Sequence, residues 1–176
     1  MQQAITGGQW SFPRGIFYGG TYESWSRKTL TSILLEHTIG VPRIILLDFH
    51  TELGPHGYAE PIIHQPQDNV AFGRTRDWVG AHAKSIVGDG SASAQVTGDG
   101  LTAISALLDK SVFGGVSLEC GVRPIEEVGQ ALRADPWLHA YGDLGSALGQ
   151  DTKRQFRAAF FDESDAWQGM ALWDRR

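Results

Sequence analysis

Three residues of this chain have the type and setting for hydrolytic chemistry: Asp48, His50 and Glu119. His50 ends the apolar run RIILLDFH, and Glu119 sits near the end of a second run, VFGGVSLECG. Both runs have the length and near-continuous apolar character of strands buried on both faces, as in a parallel sheet flanked by helices. Ligand sites in open α/β sheets lie beyond the carboxyl ends of the strands. Two such strands set close together therefore bring His50 and Glu119 to one cleft. A neutral imidazole is the commonest zinc ligand. A carboxylate beside the attacking water serves as a general base for hydrolysis. Asp48 shares a strand face with His50, two residues on, and can orient the imidazole or cap the strand end. The plainer alternatives are a hydrogen-bonded structural histidine and, for Glu119, a satisfied buried ion pair.

Other residues compete for such a role. His56, His64, Glu52 and Glu60 crowd the stretch HTELGPHGYAEPIIH, where an all-local metal site with His50 is conceivable. Their spacing matches no tight metal signature, since the chain has neither H-E-x-x-H nor H-x-x-E, and solvated loop residues are the simpler reading. Cys120 could be a nucleophile, but a lone cysteine is usually a small buried hydrophobe, and the adjacent Glu119 disfavours its thiolate.

The elements that must position these residues follow from pattern. SWSRKTLTSILLEHTIG reads as a helix capped by Ser24 or Ser26 and stopped by Gly40 and Pro42. Residues 51 to 69 read as a long loop, a helix is expected within NVAFGRTRDWVGAHAKSIV, and GDGSASAQVTGDG reads as surface loop. LTAISALLDK is a short helix with Leu101, Ile104, Leu107 and Leu108 on its apolar face. Pro124 opens a helix over PIEEVGQALRAD, and two more follow, over SALGQDTKRQFRAAFF and DAWQGMALWDRR, the last capped by Ser164 or Asp165. Lys153, Arg154 and Arg157 read as one helix's solvated face. The order is α/β, a three-layer α/β/α arrangement, in one domain over 1–176. Only two or three strands are visible, which suggests part of a fold.

Composition narrows the function classes. The 176 residues are 41% hydrophobic and 20% charged, with a net charge of −5, which are globular values. Scattered basic residues and an acidic balance argue against nucleic acid as a partner. No apolar run approaches the roughly 20 residues of a membrane span, and no signal peptide is apparent at the N-terminus. A single cysteine excludes an internal disulfide and fits a reducing, cytoplasmic setting.

DFHTELGPHG (Asp48–Gly57) and SLECG together resemble the zinc carboxypeptidase-like superfamily, which includes carboxypeptidase A, aspartoacylase and succinylglutamate desuccinylase. They are most similar to an uncharacterised bacterial branch of it. GIFYGG (Gly15–Gly20), the SWS helix start and QALRADPWLHAYGD (Gln130–Asp143) extend the resemblance along nearly the whole chain. It implies a mixed, mostly parallel sheet, with His50 as one ligand of a catalytic zinc and Glu119 as the general base. The implied reaction is hydrolysis of an amide or peptide bond in a small peptide or an N-acyl amino acid. The superfamily's first two ligands come from an H-x-x-E segment followed by substrate-clamping arginines, and this chain has neither. Arg74, Arg76 and Arg123 remain as anion contacts without a motif to support them. The resemblance thus implies the C-terminal half of the fold and a half-site. Such a half expects a missing N-terminal half, a homo-oligomer, or a non-catalytic life as a binding or structural module. Zinc binding by this chain alone is expected to be weak or absent.

Overall fold

The computed structural model describes residues 7–88, 90–96, 98–108 and 113–173. The extreme N-terminus, the end of the helix expected over 101–110 and the last three residues of the chain lie outside the described residues, as does Val112 of the second apolar run. Among the described residues, six helices and four strands make a mixed α/β fold, a four-stranded mixed sheet flanked by helices. Among the described residues no helix is long and apolar enough to cross a membrane.

Helix α1 is Trp25–His37, and Ser24 caps it by accepting the Arg27 N–H at 3.2 Å. Strand β1 is Ile44–Glu52 and strand β2 is Ala59–Ile63. Helix α2, Val70–Val79, starts at Asn69, whose side chain accepts the Ala71 N–H. The short strand β3, Lys84–Ser85, follows, then helix α3, Gly100–Leu107, capped by Asp99. Strand β4 is Phe113–Gly121. Helices α4 (Ile125–Tyr141), α5 (Ala147–Phe160) and α6 (Asp165–Trp173) complete the chain.

The strand order is β1-β4-β2-β3. β1 and β4 run parallel with Ile44 opposite Phe113 and His50 opposite Glu119. β2 is antiparallel to β4, with Glu60 opposite Glu119, and β3 is parallel to β2. β4 is thus the central strand, and it separates two strands that are neighbours in sequence. Its inner positions Val116 and Ser117 are almost wholly buried. One sheet face carries the core of Ile63, Phe72, Ala83 and Val116 beneath α2. A second cluster on that face, Cys120, Val122 and Trp167, lies under α6. α3 covers part of the other face, where Leu101 meets Gly115.

Three expectations are corrected. The stretch 51–69 is not all loop, because AEPII forms β2. Pro61 is tolerated there because β3 pairs only with Ile62 and Ile63, leaving the proline outside that two-residue ladder. Helix α4 does not stop before Pro136 but runs on to Tyr141. An internal proline costs about 3 kcal/mol, and burying Leu138, which is 1% exposed, returns roughly 1.5–3 kcal/mol. Finally, β1 is not buried on both faces. It is an edge strand, and Ile45, Leu47 and Phe49, which alternate on its face away from His50, are 48%, 46% and 65% exposed. About half of the Ile45 and Leu47 surface and most of Phe49 therefore face outward. α1 likewise has no buried residue, and its Leu30, Ile33 and Leu35 are exposed.

Candidate active site

Residues in register on neighbouring strands share a sheet face. His50, Glu119 and Glu60 therefore form a row across β1, β4 and β2 on one face, near the carboxyl ends of the parallel pair. The structure brings His50 and Glu119 together as adjacent register partners. Asp48 lies on the same face, and its Oδ2 is 2.9 Å from His50 Nε2. That bond leaves Nδ1 as the ring nitrogen available to another group.

The turn after β1 closes the end of this row. Gly54 and Gly57 adopt positive φ, and the Gly57 N–H donates to the Gly121 carbonyl at 2.9 Å. A Cβ at Gly121 would lie 2.2 Å from Gly54 O and 2.3 Å from Pro55 O, so only glycine lets the turn sit against the end of β4. Trp167 Nε1 donates to the same Gly121 carbonyl and ties α6 to this point.

Electrostatics distinguish the members of the row. Burial pushes the Glu119 carboxyl above its ordinary range; His50 and His64 oppose this, while Glu52 and Asp48 add to it. Glu119 is 5% exposed and its Oε2 has no hydrogen-bond partner. A buried carboxylate with an uncommitted oxygen is costly unless something binds there. Burial pulls the His50 imidazole down, but the Asp48 hydrogen bond and the charges of Glu119, Asp48 and Glu52 outweigh it and leave the ring more basic than usual. Burial also raises Glu52, at the end of β1.

The other candidates fall elsewhere. His56 Nε2 bonds Asp162 at 2.9 Å on the surface. Cys120 faces the opposite side of the sheet within a core cluster, and its thiol is raised by burial and by Glu119. Arg74 donates to the Phe113 carbonyl and lies over Trp78, and Arg76 lies over Phe72. Arg123 lines a cleft of about 420 Å³ between α4 and α5, which no member of the row enters. Lys153 and Arg154 pair with Asp135 and Asp151, and Arg157 with Glu163.

Glu60 and His64 are not solvated loop residues. Glu60 is 2% exposed on β2 and paired with Lys84. His64 Nδ1 lies 2.8 Å from Asp99 Oδ1, and Nε2 lies 3.0 Å from Ser117 Oγ. The order Asp–His–Ser is that of a hydrolase triad, yet Ser117 is 1% exposed, so no substrate reaches its Oγ. The string instead ties the start of α3 to β4. A signal for both residues existed in the alternation of AEPIIH, but it is masked by the proline.

As a zinc site the row is incomplete. It offers one imidazole and one uncommitted buried carboxylate, and the described residues contain no group of three or more metal-ligating side chains. A catalytic zinc takes three protein ligands, so these residues fit a part of such a centre and not the whole. Comparison with curated proteins and with solved structures gave no match. A family model described as "Protein of unknown function (DUF2817)" matches residues 1–174, and the chain belongs to that family.

Proposed function

We propose that this chain is one part of a zinc-dependent amide or peptide hydrolase of the zinc carboxypeptidase-like superfamily, acting on a small peptide or an N-acyl amino acid. The observation that carries this reading is the buried Glu119 carboxylate, with one oxygen uncommitted, set in register beside His50 at the end of the sheet. In this reading His50, steadied by Asp48, provides one imidazole ligand. Zinc, when bound, polarises the scissile carbonyl and acidifies water. Glu119 takes the proton from the attacking water and passes it to the leaving amine. The elevated proton affinity of Glu119 suits it to both transfers.

The missing ligands have a place to arrive. β4, β2 and β3 occupy one side of β1, which leaves its other edge open to a further segment that could bring donors to the half-exposed His50. A partner that also covered the opposite face of β1 would bury Ile45, Leu47 and Phe49. A non-catalytic module that uses this edge only for assembly is the second reading, favoured by the single imidazole of the row. A lone buried thiol suits a cytoplasmic setting for either.

Zinc content and hydrolysis, measured with and without a co-expressed segment carrying H-x-x-E, test the reading. Stoichiometric zinc is expected only in the complex. There His50→Ala should release zinc, while Glu119→Gln should keep zinc and lower turnover by about 10²–10⁴-fold. Full activity in Glu119→Gln would remove the general-base role. Zinc-free, inactive complexes would favour the assembly module.

A further inference from the structure

The row His50–Glu119–Glu60 sets an imidazole and two carboxylates in register on three adjacent strands of one face. Those are donor types that zinc and other divalent cations accept. Among the described residues the row gathers no three-donor cluster, and its Glu60 is tied to β3. Lys84 Nζ lies 2.5 Å from Glu60 Oε1. The other oxygen, Oε2, accepts the Ala92 N–H at 2.9 Å. Glu60 Oε1 is held by the Lys84 ion pair alone, without a hydrogen bond, and Oε2 by the Ala92 N–H, while Glu119 Oε2 beside it has no hydrogen-bond partner. Like charges directly opposite one another on neighbouring strands are destabilising. Lys84 sets a cation against one of the two carboxylates and commits it to the fold.

We infer that Lys84 is a specificity-determining residue: by holding Glu60 it withholds a third metal donor from the row and leaves Glu119 as the sole carboxylate for chemistry. The inference rests on the proposed function in treating this row as the metal-facing one. Its consequence is that the chain by itself stays a poor metal binder although three donors stand in line. A complementing segment then supplies ligands without competition from Glu60.

The experiment is a calorimetric titration of the full chain with Zn²⁺ and with Co²⁺, the latter also followed by its visible absorption. Lys84→Met removes the ammonium and keeps the length of the side chain. It is expected to bind a single ion per chain roughly ten- to a hundredfold more tightly than the unaltered protein. The gain should vanish in Lys84→Met/Glu60→Gln. Should Lys84→Met fail to fold, Lys84→Gln, whose uncharged amide still donates to Glu60, carries the same comparison with a smaller gain. Equal affinity in the folded variant and the unaltered chain, or a gain that survives Glu60→Gln, overturns the inference and leaves the hydrolase reading to its own test. A gain that survives His50→Ala in the same background keeps Lys84 in its role and removes His50 as a ligand.

Discussion

At the scale of single residues, Asp99 joins two roles in one carboxylate, a helix cap and a partner for His64. Its Oδ1 accepts from Thr102 N–H at 2.9 Å and from His64 Nδ1 at 2.8 Å. Burial alone would raise its pKa, but the His64 and Thr102 hydrogen bonds outweigh that and hold it at about 2, against an ordinary 3.8. A depressed carboxylate contributes stability that is present above its ordinary range and is lost as pH falls through about 2. Asp99→Ala should therefore cost about 2–4 kcal/mol near neutral pH, combining a lost cap with a lost charged hydrogen bond. The difference from the unaltered protein should shrink between pH 4 and 2, as read from urea unfolding. Asp99→Asn, which still caps, should lose less. His50, Asp48 and Glu119 were legible in the sequence because each interrupts an apolar strand end, where a polar group needs a reason. Glu60 and His64 were not, because Pro61 and the preceding glycines make their strand look like loop. Asp99 was hidden in a Gly-rich segment whose composition says nothing of the imidazole it meets.

At the scale of elements, β1 and β4 look alike in sequence and differ in the fold. Both are nearly continuous apolar runs, so composition marks both as interior strands. Strand order decides otherwise, and strand order depends on which partners are present. Ile63, wholly buried under α2, and Leu47, on the open face of β1, measure the difference. Ile63→Ala should cost about 2–5 kcal/mol by chemical denaturation, and Leu47→Ala should stay within about 0.5 kcal/mol. A large cost for Leu47→Ala would mean that the β1 face is covered in solution. The helices were easier to read, since Ser24, Ser146 and Ser164 each announce a start and each accepts a hydrogen bond from the first turn. α4 outran its expected end because Leu138 is buried beyond the proline, and burial is a tertiary fact that local rules do not contain.

At the scale of the whole molecule, the α/β class was plain from the alternation of helices and apolar runs. The expectation of a half-site came from the resemblance, and no composition rule would have supplied it. The open edge and apolar face of β1, with the bare stripe of α1, add to the surface an unpaired strand long enough to template another. The isolated chain should self-associate with rising concentration in sedimentation experiments. Phe49→Lys, which places a charge on the exposed edge strand, should reduce that association without unfolding the chain. A monodisperse monomer at all concentrations would count against the edge as an adhesive surface.

The insertion of β4 between β1 and β2 also governs time. The two strands leave the ribosome first and lie close in sequence, yet they never pair with each other. Each waits for a partner synthesised much later, and the loop that joins them must hold open a gap one strand wide. Contacts of such long sequence separation slow folding. In that interval the nascent chain exposes an apolar strand with two free edges. Until β4 arrives, that exposed strand is an aggregation-prone surface, so this topology bears on the making of the chain as well as on its stability.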